Sequence, residues 1–157
     1  MEIRYGLASV EETRGLSGIE ALRAMIEGRL PAPPIAEVMG FRLVEVGEGT
    51  AVFEGEPGPH LLNPLGGVHG GFALTLIDSA AGCALHAALE AGVGYTTVET
   101  KTNMTRPIAP DGGVVRAEGR LLTRGRQIAT AEARIVDREG RILAHGTSTL
   151  IILAPRG

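Results

Sequence analysis

The sequence predicts an α+β domain in which one long central helix is wrapped by a curved antiparallel sheet of about six strands, with a short N-terminal helix in front. Residues 71–89 are almost wholly apolar and rich in alanine, over a length typical of a buried helix. Six shorter β-favouring segments, two before this helix and four after it, are separated by turn sequences. A helix that is apolar on all sides must be covered on most of them, and a curved sheet is the simplest cover.

The bulk composition is that of an ordinary globular domain. The 157 residues fit one core, with 44% hydrophobic and 21% charged residues. A net charge of −3 and 3% aromatic residues argue against a nucleic-acid partner. The N-terminus lacks the apolar core of a signal peptide, and residues 72–89 contain Asp78 and His86, which makes them a poor membrane span. We therefore expect a cytoplasmic protein without a membrane partner.

The chain divides into an N-terminal arm and helix, residues 1–35, and a main domain, residues 36–157. We expect the first fifteen residues, which are mixed and polar, to be loosely held. Residues 17–28 predict an amphipathic helix, in which Ser17 is the cap and Glu20 follows three residues later. A proline-rich connector follows, with one helical turn expected at residues 35–39.

The strands are predicted from β-favouring runs between turn residues. Residues 41–46 and 50–55 flank the turn "GEG" and predict a hairpin. After the long helix, four further runs alternate apolar and polar residues, as expected of strands with one buried face. Their bounds are 93–106, 114–123, 127–137 and 141–153, and "TRGR" and "DREG" are the turns that join the last three.

The run "GGVHGG" lies directly before the long helix. The amides of Gly70 and Gly71 fall at the helix N-terminus, where N–H groups lack internal partners and the dipole adds positive charge. Such amides suit either a phosphate or a developing oxyanion. No phosphate-loop motif or serine nucleophile elbow is present. His69 and Asp78 have no second histidine at ligand spacing, so we expect neither a metal nor another cofactor.

Asp78 is a single carboxylate roughly two turns inside the apolar helix. Among its neighbours three and four residues away, only Thr75 carries a hydroxyl. An unpaired buried carboxylate costs several kcal/mol, so a chain that keeps one uses it in a site or in a hydrogen-bonded network. Both interpretations remain open on the residues alone.

Together, Asn63, "GGVHGG" and Asp78 nine residues after His69 resemble the hotdog-fold acyl-CoA thioesterases, in the branch named for the phenylacetate-degradation thioesterase PaaI. The later stretch "TTVETKTNMTRPIAP" is similar to the strand that leaves the central helix in that family. "GRQIATAEARIVDREGRILAHGTSTLII" is similar to its last two strands. The resemblance covers residues 40–153.

The resemblance implies a hydrolase of acyl- or aryl-CoA thioesters. Asp78 would be the nucleophile or the general base that activates water, and the Gly70 amide, with Gly71, would bind the carbonyl oxygen. Asn63 would hold the water or orient the thioester. His69 would support the loop and contact the thioester region, and Thr97 would position water.

The resemblance also implies that the site is shared, because Asp78 of one subunit faces the loop of its neighbour in that family. We therefore expect a homodimer formed by edge-strand pairing, and a homotetramer as a dimer of dimers. Exposed arginines at strand ends and turns are candidates for the coenzyme A phosphates, namely Arg106, Arg124 and Arg126.

The sequence also bears on two other functions. Hotdog hydratases carry an aspartate and a histidine five apart, but Cys83 stands five residues after Asp78 and His86 stands eight after it. A non-catalytic acyl-CoA-binding protein stays an alternative, because nothing in the sequence excludes it.

Overall fold

The computed structural model describes residues 1–155 and has one long helix packed on a six-stranded sheet. The helices are α1 (Val10–Thr13), α2 (Gly18–Ile26), α3 (Pro34–Met39) and α4 (Gly70–His86), with a 3-10 turn at Pro59–Leu61. The strands are β1 (Phe41–Gly47), β2 (Thr50–Gly55), β3 (Gly94–Met104), β4 (Val115–Arg124), β5 (Ile128–Val136) and β6 (Ile142–Leu153).

The sheet is antiparallel throughout, with the strand order β1-β2-β4-β5-β6-β3. Helix α4 contacts all six strands, so the curved sheet covers it along its length. The core lies between them and is built largely from alanine, leucine and isoleucine. The predicted fold class, the number of strands and the central helix are confirmed.

Small residues let the sheet approach the helix backbone. A methyl group at Gly119 of β4 would collide with the carbonyl oxygen of Ala80 in α4. At Gly82, a methyl group would meet the hydroxyl of Tyr95 on β3 at 3.0 Å. Because protein interiors are packed as densely as crystals of small organic molecules, such contacts leave no room for a side chain. The small residues of the sequence therefore set how closely α4 sits on the sheet.

The N-terminal segment is attached to the domain, which corrects the expectation of a loosely held arm. The Gly6 amide donates to Ala32 O at 2.9 Å and the Ala32 amide donates to Arg4 O at 2.8 Å. Ser9 and Glu12 form a capping box on α1, a helix that the sequence analysis did not predict. Backbone pairing and this cap order the first fifteen residues.

Helix α2 has the predicted cap and packs against the rest of the domain. Ser17 and Glu20 form the complete capping box. The Gly18 amide then donates to Leu89 O at 3.0 Å, just beyond the end of α4. Since α2 also contacts β1, this edge of the sheet is covered by the chain's own helix.

Strand β3 forms the other edge of the sheet, with β6 as its only partner among residues 1–155. Its apolar side chains Val98 and Met104 are 51% and 55% exposed. An eleven-residue edge with open backbone groups is a template for another strand.

The bounds of α4 differ slightly from those predicted. It begins at Gly70 and ends at His86, after which two turn hydrogen bonds, Ala88 N to Leu85 O and Leu89 N to His86 O, carry the chain on to Leu89. Of the helices within residues 1–155, none combines the length and apolar character needed to cross a membrane.

Candidate active site

The loop before α4 is closed by Asn63. Its side-chain Oδ1 accepts from the backbone amides of Leu65 and Gly67 at 2.9 and 3.2 Å, and its backbone amide donates to Gly67 O at 2.8 Å. An asparagine that binds backbone two and four residues ahead stabilises a tight turn. The side-chain oxygen of Asn63 therefore builds the loop, and its NH₂ group has no hydrogen-bond partner in the described chain.

His69 caps α4 and thereby distinguishes the two glycine amides. Its Nδ1 accepts from the Gly71 amide at 2.8 Å, which leaves the ring proton on Nε2. The Gly70 amide, by contrast, donates to no group within residues 1–155. The two donors expected at this helix N-terminus are thus not equivalent, because Gly71 is already bound and Gly70 is free.

Asp78 lies two turns further along α4 and is half-buried. The Thr100 hydroxyl of β3 donates to Asp78 Oδ1 at 3.2 Å, and the same hydroxyl lies 2.9 Å from Ser148 Oγ of β6. Thr75 does not serve the acid, because its hydroxyl donates to Gly71 O at 2.8 Å. Within residues 1–155 no cation pairs with Asp78, and its Oδ2 accepts no hydrogen bond.

Thr100 and Ser148 were not among the predicted site residues, and Thr97 was expected at this place. Thr97 pairs with Leu150 and Thr100 pairs with Ser148, and the register shifts between them at a bulge around Val98. Since directly opposite residues share a face, the bulge puts both threonines on the inner face although they are three residues apart. The hydroxyl that reaches Asp78 is that of Thr100, and the role predicted for Thr97 stays a prediction.

Three further titratable groups lie in this part of the fold, Cys83 and His86 on α4 and Tyr95 on β3. Burial raises the pKa of the Cys83 thiol to about 12 and raises that of Tyr95 well above its usual value, with the Asp78 charge adding to both shifts. Burial lowers the pKa of His86, whose ring centroid lies 5.5 Å from that of Tyr95. All three groups are therefore uncharged near neutral pH, and Cys83 is a poor nucleophile.

The acid and the free amide are far apart within one chain. Gly70 and Asp78 are eight residues apart on α4, which corresponds to about 12 Å along the helix axis. A carboxylate and an oxyanion donor must both lie about 3 Å from the reacting carbonyl. Because the Asp78 side chain spans only a small part of this distance, a single chain does not bring the two together.

The three arginines have different surroundings. Arg124 is tied to the end of α4, because it donates to Ala88 O at 2.6 Å and to both carboxylate oxygens of Glu90 at 3.1 and 2.7 Å. Arg106 and Arg126 are exposed and form no ion pair in the described chain. Arg106 stands two residues after Met104, whose side chain contacts Gly70 at the N-terminus of α4, and Arg126 lies in the β4–β5 turn.

Within residues 1–155, no three His, Cys, Asp or Glu side chains lie close enough together to bind a metal ion. The chemistry available here is that of a carboxylate, its hydroxyl partners and a helix N-terminus.

Comparison with known proteins agrees with this architecture. A family model described as the thioesterase superfamily matches residues 65–144, which is just over half of the chain. The structure of a phenylacetic acid degradation-related protein from Ralstonia eutropha is 26% identical, with 83% of this chain and 98% of that one covered and a TM-score of 0.74. No curated protein matches the sequence.

Two further solved structures share the fold. A mutant of the phenylacetic acid degradation protein PaaI from Thermus thermophilus is 28% identical, with 75% and 97% of the chains covered and a TM-score of 0.68. A hypothetical thioesterase from Streptococcus pneumoniae, solved with coenzyme A, is 23% identical, with 78% and 93% covered and a TM-score of 0.69. The chain therefore belongs to the thioesterase superfamily, with a hotdog fold of the PaaI type.

Proposed function

We propose that the protein hydrolyses acyl- or aryl-CoA thioesters to the free acid and coenzyme A. The observation that carries this proposal is Asp78, a carboxylate held by one hydroxyl on an otherwise apolar helix whose N-terminal amide at Gly70 is free. A thioester carbonyl is already activated, so a carboxylate and an oriented amide suffice to hydrolyse it. The coenzyme A in the pneumococcal structure supports the substrate class.

Asp78 acts as the nucleophile or as the general base for water. Thr100 holds Oδ1, which leaves Oδ2 for the substrate or the water. Cys83 and His86 on α4 and Tyr95 on β3 are uncharged near neutral pH, so they neither neutralise nor repel the carboxylate.

The Gly70 amide is the oxyanion donor. It is the first amide of a seventeen-residue helix, so the helix dipole reinforces its hydrogen bond to a developing negative charge. The Gly71 amide contributes indirectly, by fixing the His69 ring through Nδ1. His69 Nε2–H and the Asn63 NH₂ group are the side-chain donors left in the loop to orient the thioester or the water.

A complete site requires two subunits. Because Gly70 and Asp78 of one chain are about 12 Å apart, the loop of one subunit faces Asp78 of its partner. The open edge of β3 is the surface through which two chains pair, since α2 covers the opposite edge at β1. Two such dimers would form the tetramer.

Coenzyme A carries phosphates that exposed arginines can bind. Arg106 and Arg126 are available, because both are exposed and neither forms an ion pair in the described chain. Arg124 is the weakest of the three candidates, because its guanidinium is already bound to Ala88 and Glu90.

The test is hydrolysis of a panel of aryl-, short-, medium- and long-chain acyl-CoAs by the wild type, Asp78→Asn and Asp111→Asn. Asp111 is exposed in the loop before β4, so its variant makes the same chemical change away from the site. We expect Asp78→Asn to lower kcat/KM by about a thousandfold or more and Asp111→Asn to leave it unchanged. Residual activity within about tenfold of wild type in Asp78→Asn would refute the mechanism.

Single-turnover hydrolysis in oxygen-18 water distinguishes the two roles of Asp78. Direct attack forms an anhydride, and label then enters the Asp78 carboxylate when water opens it at the side chain. Base catalysis places the label in the product acid alone.

A further inference from the structure

The hydroxyls of Thr100 and Ser148 form a chain that ends on the acid. A carboxylate only accepts hydrogen bonds, so the single hydroxyl proton of Thr100 lies on the bond to Asp78 Oδ1, 3.2 Å long. The 2.9 Å contact between Thr100 and Ser148 then has Ser148 as its donor. The chain has one direction, from Ser148 to Thr100 to Asp78.

Ser148 is an unusual residue for its position. It is 1% exposed and is the one polar residue in the buried core of residues 1–155. Its neighbours on the inner face of β6 are Ala144, Gly146 and Leu150, and an alanine would fill almost the same volume. A buried hydroxyl costs free energy unless it is hydrogen-bonded, so its presence indicates a polar requirement at this place.

The bulge in β3 is what makes this chain of hydroxyls. Thr97 and Thr100 are three residues apart, so in a regular strand they would point to opposite faces. The register shift between Thr97 and Glu99 turns Thr100 inward, opposite Ser148. Bulges commonly re-aim a side chain next to a functional group.

We propose that Thr100 and Ser148 are positioning residues that hold Asp78 Oδ1, favour the ionised carboxylate and direct Oδ2 to the substrate. The effect on the carboxylate follows from the geometry alone, and the consequence for the reaction rests on the function proposed above. Ser148 acts through Thr100, because a hydroxyl that accepts a hydrogen bond becomes a better donor.

Other groups around Asp78 do not take over this task. Cys83 and Tyr95 are kept protonated by burial, which raises their pKa, and burial lowers the pKa of His86. Glu99 and Lys101 of β3 are exposed, and Glu99 accepts from Thr149 on the same side of the sheet. The Thr100 hydroxyl is the one hydrogen-bond donor to the Asp78 carboxylate within residues 1–155.

The direct test is a carbon-13 NMR titration of the side-chain carboxyls in protein labelled at aspartate. The sequence contains three aspartates, Asp78, Asp111 and Asp137, so the spectrum is simple. The Asp78 signal is identified by its absence from Asp78→Asn. This measurement needs no substrate and no activity.

Removing the Thr100 hydroxyl should raise the titration midpoint of Asp78, because the hydrogen bond favours the charged form. For Thr100→Val we expect a rise of about one pH unit, because the variant lacks the one hydrogen bond to Asp78 Oδ1. Ser148→Ala should raise the midpoint less. Thr100→Ser keeps the hydroxyl and should therefore keep the midpoint of the wild type.

Thr102→Val is the matched control. Thr102 lies on the same strand, and its hydroxyl is buried without a hydrogen-bond partner in the described chain. The substitution therefore makes the same chemical change near α4 without touching the hydroxyl chain. We expect it to leave the Asp78 midpoint unchanged. An unchanged midpoint in Thr100→Val, or an equal shift in Thr102→Val, would overturn the proposal.

Kinetics separate this proposal from the proposed function. If the wild type hydrolyses CoA thioesters, Thr100→Val should lower kcat, leave KM nearly unchanged and move the acidic limb of the pH profile upward, while Thr102→Val should do none of these. Active wild type with no NMR shift in Thr100→Val refutes the hydroxyl chain and leaves the function intact. An NMR shift without any thioesterase activity refutes the function and leaves the hydroxyl chain intact.

Discussion

Two inactive variants should restore activity when they are combined in one dimer. Asp78→Asn removes the carboxylate, and Gly70→Pro removes the free amide. Proline suits this position, because Gly70 is the first residue of α4 and His69 before it is extended, with φ −61° and ψ 136°. Each homodimer should retain about 1% or less of the wild-type kcat, since losing one oxyanion donor costs about a hundredfold or more.

The size of the recovery follows from the geometry of the shared site. In a heterodimer, the Asp78→Asn subunit supplies an intact loop and the Gly70→Pro subunit supplies an intact acid. One of the two sites is then complete and the other lacks both groups. The purified heterodimer should therefore have about half of the wild-type specific activity.

The assay uses two affinity tags, one on each variant, so that only assemblies containing both variants survive tandem purification, and the dimer fraction is then isolated by size. Gly70→Ala is the matched control, because its Cβ meets the same Met104 side chain but the amide remains. The methyl group would meet only the far end of the flexible Met104 side chain, which can shift to admit it, so Gly70→Ala should stay largely active. If the heterodimer has no more activity than the two homodimers, the acid and the loop belong to one chain and the reasoning from the 12 Å separation is wrong.

Other predictions concern stability, reactivity and assembly. Gly119→Ala should lower the free energy of unfolding by about 3 kcal/mol, because its methyl group would collide with the backbone of α4. Gly67→Ala, whose methyl group would have its nearest contact at 3.6 Å, should change the free energy of unfolding far less, and urea titrations of both variants measure the difference. The Cys83 thiol, with its pKa raised to about 12 by burial, should not react with a disulfide reagent at pH 8 until the protein unfolds; fast labelling of the folded protein would contradict this. Leu74→Lys should shift the protein towards the monomer, as measured by light scattering. Val38→Lys on helix α3 should not, although Leu74 and Val38 are both exposed by 40% or more in the single chain.

The fold could be predicted because its signals are local. The apolar run of α4, the alternation in β4 and β5 and the turns between them each depend on neighbouring residues. The cap of α2 was found for the same reason. The attachment of the first residues was missed, because the contact between Gly6 and Ala32 joins segments with no periodic pattern.

The candidate site was predictable only in part. The free amide and Asp78 stand out within one short stretch, but Thr100 is 22 residues from Asp78 and Ser148 is another 48 residues away. Strict alternation, moreover, assigns Thr97 and Thr100 to opposite faces, and nothing in the local sequence marks the bulge that puts both inside. The use of the Gly71 amide by His69 was missed because histidine is not among the usual N-cap residues.

Leu74 lies midway along α4 between the two halves of the proposed shared site, Gly70 and Asp78. In the proposed two-fold symmetric pair, Gly70 of each α4 would face Asp78 of the other, so the axis would pass beside the residue midway between them. That residue is Leu74, one turn from Asp78 on the same face of the helix and exposed by 40% in the single chain. A large apolar side chain at this axis would pack against its own copy and shield both sites from water. In the proposed dimer, the same helix that keeps acid and amide apart in one chain would therefore bring them together at two sites.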